Sequence, residues 1–587
     1  MGKSPLFAVY AFLRLHFRPI SGIICGLVHV LDMIFLLPIA AVVPAAAIHA
    51  TGYLAGEPRR ALLRFWGFFL ATAASMAFVV LSPDRLSFLL AWEFMGLSSA
   101  GLVAFEHGER HVRKATWTYL LACHAGACAL MLAGLFMDSA ATFLAAFFCA
   151  VVGFGLKIGF PPFHVWLPEA HPAAPAPASA VMSGAMIPLG FYGLLRFFWP
   201  ACAVVPYASA AGWTLLALGA SGAVLGILFA LPQANIKRLL AFSSVENMGI
   251  VGLALGLSVL AGVEDQSVSR LACAGALAHV LNHALLKGGL FLGAGSVLKA
   301  TGTLDADRLG GLMKRMPFTG TLFTLNAAGL AGLPPLNGFL GELLIYAAAF
   351  DAAKSANPAL AVAGFIALAA LALAGGLAAA AYCKVVGAVF LGEPRGDEAS
   401  AARETPARMW LAQLALFVLS VAMIPGTVIL ACRITSCGSD ALLLSATGAG
   451  CAFAATVAIL VVVRRFLCPR GGVKPSVPTW DCGYGEPTAR MAYTATAFTQ
   501  PLADLFAGLL KPRRHLVPFR GDPAAPTDAA LATETDDRAL AGFWRPLFSA
   551  AARALQRSHV IQNGSLHLYI LLAILAVVAL LVAALVS

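Results

Sequence analysis

Of the 587 residues, 60% are apolar and only 11% charged, and the mean hydropathy is +0.84. That balance excludes a soluble globular domain, in which about 25% of residues are charged. The net charge of +11 does not point to nucleic acid either, because Lys and Arg fall in loops between apolar runs rather than on one polar face.

Those runs recur at about 20 residues, enough to cross a hydrocarbon core of roughly 30 Å as a helix. Open segments in lipid must be helical to satisfy their own backbone. The expected fold is an all-α polytopic membrane protein of about 14 spans: 22–50, 61–82, 85–105, 116–137, a broken 139–176, 178–199, 211–231, 240–261, 271–298, a second broken 317–350, 359–391, 410–431, 439–465 and 566–586. The division that follows is an N-terminal helix region (1–60), two repeats (61–205 and 206–391), additional helices (392–465), a cytoplasmic stretch (466–565) and a last helix (566–587).

If the first span runs from outside to inside, the inside loops collect fourteen Lys and Arg, among them Arg59, Arg110, Lys237, Arg238, Lys299 and Arg308. The outside loops hold four, Arg85, Arg270, Lys354 and Arg433. This positive-inside bias sets the orientation and puts 466–565 on the cytoplasmic side. Residues 1–20 then form a short amphipathic surface helix outside, with no cleavable signal pattern. Within 466–565, the pieces 494–510 and 540–557 are amphipathic and suited to lie along the membrane interface against neighbouring subunits, while 518–538 reads as a flexible linker. The plainer reading of that stretch is a solvated surface connection. The twelve cysteines form no CxxC pair or Cys/His cluster, so no metal or other cofactor is expected in this chain.

Two spans carry the same interruption. Gly159-Phe-Pro-Pro-Phe-His-Val-Trp-Leu-Pro-Glu169 and Gly332-Leu-Pro-Pro-Leu-Asn-Gly-Phe-Leu-Gly-Glu342 agree at five of eleven positions, at an offset of 173. Proline removes a backbone donor and clashes with the preceding turn, so Pro161, Pro162, Pro334 and Pro335 are expected helix breaks. The broken spans lie five crossings apart, an odd number, and so run in opposite directions. Two inverted repeats, each with a broken helix, are the architecture of ion-coupled transporters.

An ionisable group at the centre of a span costs roughly 2.5–3.5 kcal/mol on insertion scales, so each is a functional candidate. Here they are Glu93, His124, Lys157, Glu246, His279, His283, Lys287, Glu342 and Lys384. Glu93 and Lys157 are expected to form a proton site switched by separating the pair; the competing reading is a static ion pair. His279, His283 and Lys287 stand at i, i+4 and i+8 on one helix face, a stripe that passes protons through water. Packing histidines, or a zinc site with no evident third ligand, compete with that reading. Glu342 follows the second break as Glu169 follows the first. Glu246 and Lys384 read equally as relay groups or snorkelling side chains, His124 as relay or core histidine, and Lys237 and Arg238 as loop charges that set topology.

Trp92-Glu93, Lys157 with Pro-Pro-Phe-His-Val-Trp-Leu-Pro-Glu-Ala-His171, His279 to Lys287, and the second break through Glu342 together resemble the antiporter-like subunits of respiratory complex I, Mrp antiporters and membrane-bound hydrogenases. Ser243-Ser-Val-Glu-Asn-Met-Gly249, Phe390-Leu-Gly-Glu-Pro-Arg395, the stretch from Thr479 through Trp-Asp-Cys-Gly-Tyr-Gly-Glu-Pro, and Gln562-Asn-Gly-Ser-Leu-His-Leu-Tyr-Ile are similar to the branch containing hydrogenase-4 component B and formate hydrogenlyase subunit 3. The resemblance implies a hydrophilic axis on which Glu93, Lys157, Lys287 and Glu342 conduct protons, or alternatively sodium, driven by a peripheral hydrogenase or oxidoreductase arm held by other membrane subunits of a cell inner membrane.

Two departures stand out. Relatives carry a lysine near the middle of the span after the first break, where this chain has Pro188 with Ser183 about one turn earlier, so Ser183 or water must join the two half-channels. Relatives also have about two more helices before the one beginning near Asp32. The expected function is a proton-translocating subunit of a membrane-bound hydrogenase or related oxidoreductase complex. An Mrp-type cation/proton antiporter subunit, or a structural anchor that has lost conduction, is the alternative.

Overall fold

A computed structural model describes residues 18–137, 142–199, 208–262, 264–435, parts of 448–467, 492–522, 525–535, 537 and 539–556. The surface helix expected before Arg18, most of the span 439–465, the Thr479 motif and the span 566–586 lie outside these residues.

The membrane portion is helical throughout. α1 (Arg18–Tyr53), α2 (Arg59–Leu81), α3 (Arg85–Val103) and α4 (Arg110–Phe136) lead to α5 (Phe143–Ile158), which is interrupted and resumes as α6 (Leu167–Ala173). α7 (Ala176–Phe197), α8 (Ala208–Ala230), α9 (Ile236–Ala261) and α10 (Gln266–Thr301) follow. The second interrupted pair is α11 (Pro317–Leu330) and α12 (Asn337–Ala353), and α13 (Pro358–Phe390) and α14 (Ala407–Thr435) complete the bundle. Among the described residues ten spans are long and apolar enough to cross a membrane. α10 and the α11/α12 pair, diluted by polar residues or divided by the break, bring the crossings to twelve. Each coincides with an expected span, with ends moved by a few residues.

Both breaks are built the same way. α5 ends at Gly159, whose φ of 86° needs a residue without Cβ, and the amide of Phe160 donates back to Gly155 O at 3.1 Å. In the second, Gly332 has φ 67° and the amide of Leu333 donates to Ala328 O at 3.1 Å. A Pro-Pro pair with a cis bond between its prolines follows each time. The two prolines carry no N–H, so the ladder cannot continue through them.

Glycines set the helix spacing around the future site. A Cβ on Gly126 of α4 would lie 3.1 Å from Gly153 O of α5, and one on Gly153 would lie 2.9 Å from Gly126 O. α8 and α9 approach still more closely, Gly219 and Gly226 meeting the backbones of Leu253 and Glu246, and Gly249 that of Ala223. Gly184 of α7 stands 2.7 Å, by the same measure, from Ala284 O of α10. α7 itself contains a π turn, Met182–Met186, in which Ile187 N donates to Met182 O at 3.0 Å. Pro188 next to it has no N–H for the carbonyl one turn back, and the widened turn absorbs the mismatch.

After the bundle, α15 (Ala495–Leu505) begins at Thr494, whose hydroxyl caps Ala497 N at 3.1 Å. The linker expected at 518–538 is mostly something else: β1 (Arg513–Asp522) and β2 (Ala525–Glu534) form an antiparallel hairpin. Its register shifts between Val517 and Arg520, where Pro518 has no amide to give to the ladder. The described residues up to Thr535 form one compact unit and those after it a second. The second contains a π turn, Leu540–Trp544, running into α16 (Arg545–Gln556), with Trp544 packed on Phe543 and Phe548 at 5.1 and 5.5 Å between ring centroids.

Candidate functional site

Seven of the nine candidate residues fall into three clusters. In the first, on α3 and α4, the Glu93 carboxylate binds Nδ1 of His124. The side chains are 26% and 51% exposed, so this pair reaches the surface of the chain. Glu93 therefore does not pair with Lys157 as expected; its second carboxylate oxygen is buried without a hydrogen-bond partner among the described residues.

The second cluster belongs to Lys157, 4% exposed near the end of α5. Because Gly126 and Gly153 draw α4 against α5, the amine reaches Tyr119 Oη at 3.2 Å and Cys123 Sγ at 3.4 Å. It lies over the rings of Tyr119 and Trp92, 5.3 and 5.8 Å from their centroids. Tyr119 is tied in turn to Ser99 at 2.7 Å and approaches the thioether of Met186 on α7 at 3.6 Å. Trp166 donates to Leu156 O at 2.6 Å, clasping the chain across the break. A small cleft lined by Trp92, Cys123, Gly126, Gly153, Lys157 and Trp166 opens beside the amine.

The third cluster lies between α9 and α10. Lys287, fully buried, donates to Leu240 O at 3.0 Å and to the Ser243 hydroxyl, with the Tyr382 ring 5.9 Å away. Asn247 donates to Glu246 at 2.9 Å and faces His279 Nε2 through Oδ1 at 3.1 Å. Asn247 also donates to Ser243 O at 2.7 Å, so the Lys287 and Glu246 branches meet at one serine. Both ring nitrogens of His283 are buried without a hydrogen-bond partner among the described residues.

Ser183 connects this cluster to α7. Its hydroxyl shares a 2.9 Å hydrogen bond with Ser244, and Ser244 donates at 2.9 Å to the Leu240 carbonyl that also accepts from Lys287. Ser183, beside Pro188, thus contacts the Lys287 cluster.

Three residues sit apart from these clusters. The Glu342 carboxylate folds back toward the second break, where a Cβ on Gly332 would lie 2.6 Å from Oε2. Lys384 donates to Gln233 O at 2.7 Å and to Leu231 O, just past the end of α8, which places a cation at the negative end of that helix. Lys237 is not a loop charge: it is 1% exposed and donates at 2.6 Å to Ala174 O, at the end of α6. Its neighbour Arg238 pairs with Glu169 at 3.7 Å. Among the described residues no three His, Cys, Asp or Glu side chains converge as a metal site would require.

The sequence model of the family described as NADH:quinone oxidoreductase/Mrp antiporter, TM, matches residues 82–368, which hold the ionisable residues of all three clusters. Hydrogenase-4 component B of Escherichia coli strain K12 is 34% identical over 88% of this chain and 83% of its own length. The chain belongs to the hydrogenase-4 component B family. Formate hydrogenlyase subunit 3 of the same organism is 36% identical over 63% of this chain and 61% of its own length. The archaeal membrane-bound sulfane sulfur reductase, a respiratory membrane complex, contains a chain of the same fold, with a TM-score of 0.70 at 23% identity over 94% of this chain and 88% of that one.

In this member of the hydrogenase-4 component B family, the neutral residues around the two lysines, Tyr119, Cys123 and Ser243 that hold them and Ser99, Ser244 and Asn247 behind these, were not visible as candidates. The one available signal was the run Ser243-Ser-Val-Glu-Asn, where three small polar residues flank a buried acid on a single helix turn.

Proposed function

We propose that this chain is the proton-translocating, antiporter-like membrane subunit of a membrane-bound NiFe hydrogenase or related respiratory oxidoreductase complex. It carries the ion while other subunits carry the electrons. The observation that supports this best is the pair of buried lysines, Lys157 and Lys287, each held by neutral groups and neither in an ion pair among the described residues. A lysine bound to hydroxyl, thiol and carbonyl groups gives up its proton without leaving a buried carboxylate stranded. Lys237 and Lys384 are also buried without a carboxylate, but each binds only carbonyls at a helix end, where the negative end of the helix matches the cation.

In this reading Glu93 and His124 form one end of the path, at a surface covered by another membrane subunit. Lys157 takes the proton behind Tyr119. Lys287, His283, His279 and Glu246 pass it through the second half, and Glu342 at the second break forms the far end. Residues 61–205 and 206–391 act as two inverted repeats, in which Glu93 and Glu246 occupy the second helix of each set. Lys384 and Lys237 hold helix ends in place rather than relay. The chain lies in the cytoplasmic membrane with 466–565 on the cytoplasmic side, as the loop charges direct.

Inverted vesicles containing the assembled complex test the ion. The proposal predicts acidification of the lumen during electron transfer, independent of sodium, and a loss of at least tenfold in Lys287→Gln with electron transfer retained. Sodium-dependent proton exchange without any redox turnover would instead favour an Mrp-type antiporter.

A further inference from the structure

The two lysine sites are not joined by any ionisable group on α7, the helix that runs between them. On the Lys157 side the contacts end at the Met186 thioether, and on the Lys287 side at the Ser183 hydroxyl. We propose that His171 is the group that passes a proton between the Lys157 and Lys287 sites; this rests on the proton-translocating role proposed above.

His171, on α6, is fully buried, and neither ring nitrogen has a hydrogen-bond partner among the described residues. Buried polar atoms left unpaired are rare in native proteins, and each calls for a water or a task. The position of the ring supplies the task. Phe291 stacks on it at 4.9 Å between centroids, one turn beyond Lys287 on α10. Trp166 lies at 6.2 Å and itself packs at 4.8 Å on Tyr119, the residue whose hydroxyl holds Lys157. His171 is thus packed between one aromatic from each lysine site. The charged groups that act on it are Lys237 and Lys287. Its backbone is fixed, since Ser179 donates to His171 O at 2.9 Å and Lys237 holds the next turn through Ala174 O.

Imidazole suits this place because it accepts a proton at one nitrogen and releases another from the opposite nitrogen. The Lys157 ammonium gives one proton, through water, to one ring nitrogen. The other nitrogen releases its own proton, through water, to the Lys287 amine. Lys157 ends neutral, Lys287 ends charged, and the imidazole ends neutral in its other tautomer, so one proton moves and none is lost.

The test uses the assembled complex in inverted vesicles, with protons counted per electron transferred. His171→Phe keeps an aromatic ring between Trp166 and Phe291 but cannot carry a proton, and His171→Gln keeps hydrogen bonding without titrating. Both are expected to lose at least fivefold in protons per electron while the complex assembles and transfers electrons at the wild-type rate. Wild-type pumping in either variant overturns the proposal and leaves His171 a packing residue. Lys157→Ala in parallel separates the two ideas: if it pumps normally, the proton-translocating role itself fails, whereas loss in Lys157→Ala with normal His171 variants sinks only the link.

Discussion

Lys157 depends on Tyr119 more than on any acid. The phenol oxygen is the amine's oxygen partner and joins it to Ser99 and Met186, while the ring supports the ammonium from the side. Tyr119→Phe keeps the ring and removes the hydroxyl, so the lysine remains buried but loses its oxygen partner. A positioned proton-transfer group contributes typically about 10²–10⁴-fold; since Cys123 and water remain, the lower end is expected, with pumping per electron down about tenfold and electron transfer unchanged. Proton uptake in vesicles checks this. The ionisable members of the site were legible in the sequence because a charge inside an apolar run is costly wherever it points. Their neutral partners were not, because Ser, Tyr and Asn in helices often satisfy themselves on their own backbone, as Ser243 does on Leu240 O. The expected Glu93–Lys157 pair fails for a related reason. Sequence spacing puts both residues in the membrane, but only packing shows that His124 is nearer to the acid and Tyr119 to the base.

At the scale of elements, the breaks were readable because proline and glycine act locally, and the hairpin at 513–534 was not. Its second strand, Ala-Pro-Thr-Asp-Ala-Ala-Leu-Ala-Thr-Glu, is poor in β-branched and aromatic residues, and only pairing with β1 makes it a strand. Nor was the start of α11 readable. Its cap comes from Glu404, distant in sequence, whose carboxylate accepts from Phe318 N at 2.9 Å, Thr319 N at 3.2 Å and the Thr319 hydroxyl at 2.6 Å. Glu404→Ala leaves those donors without their acceptor and is expected to cost about 1 kcal/mol, the usual worth of a cap, seen as a lower midpoint in detergent-solubilised thermal unfolding. Gly249→Leu is expected to be worse, about 1–3 kcal/mol for overpacking, because the added side chain meets the backbone of α8 at Ala223. Glu246, one turn away, shifts with it, so pumping falls along with stability.

For the whole molecule, composition set the class and loop charge set the expected orientation, and both act through the membrane rather than through any single contact. Twelve crossings are described, and the expected spans 439–465 and 566–586 fall largely or wholly beyond the described residues. The orientation is testable by itself: a protease site inserted between α15 and β1 is expected to be cut in inverted vesicles and protected in right-side-out cells. The proposed path depends on a proton held by Lys157 inside the membrane. The most direct measurement is the number of protons moved per electron in inverted vesicles containing the complex with Lys157→Gln, against wild type. The account predicts a fall of at least tenfold with electron transfer still running; an unchanged ratio would contradict it.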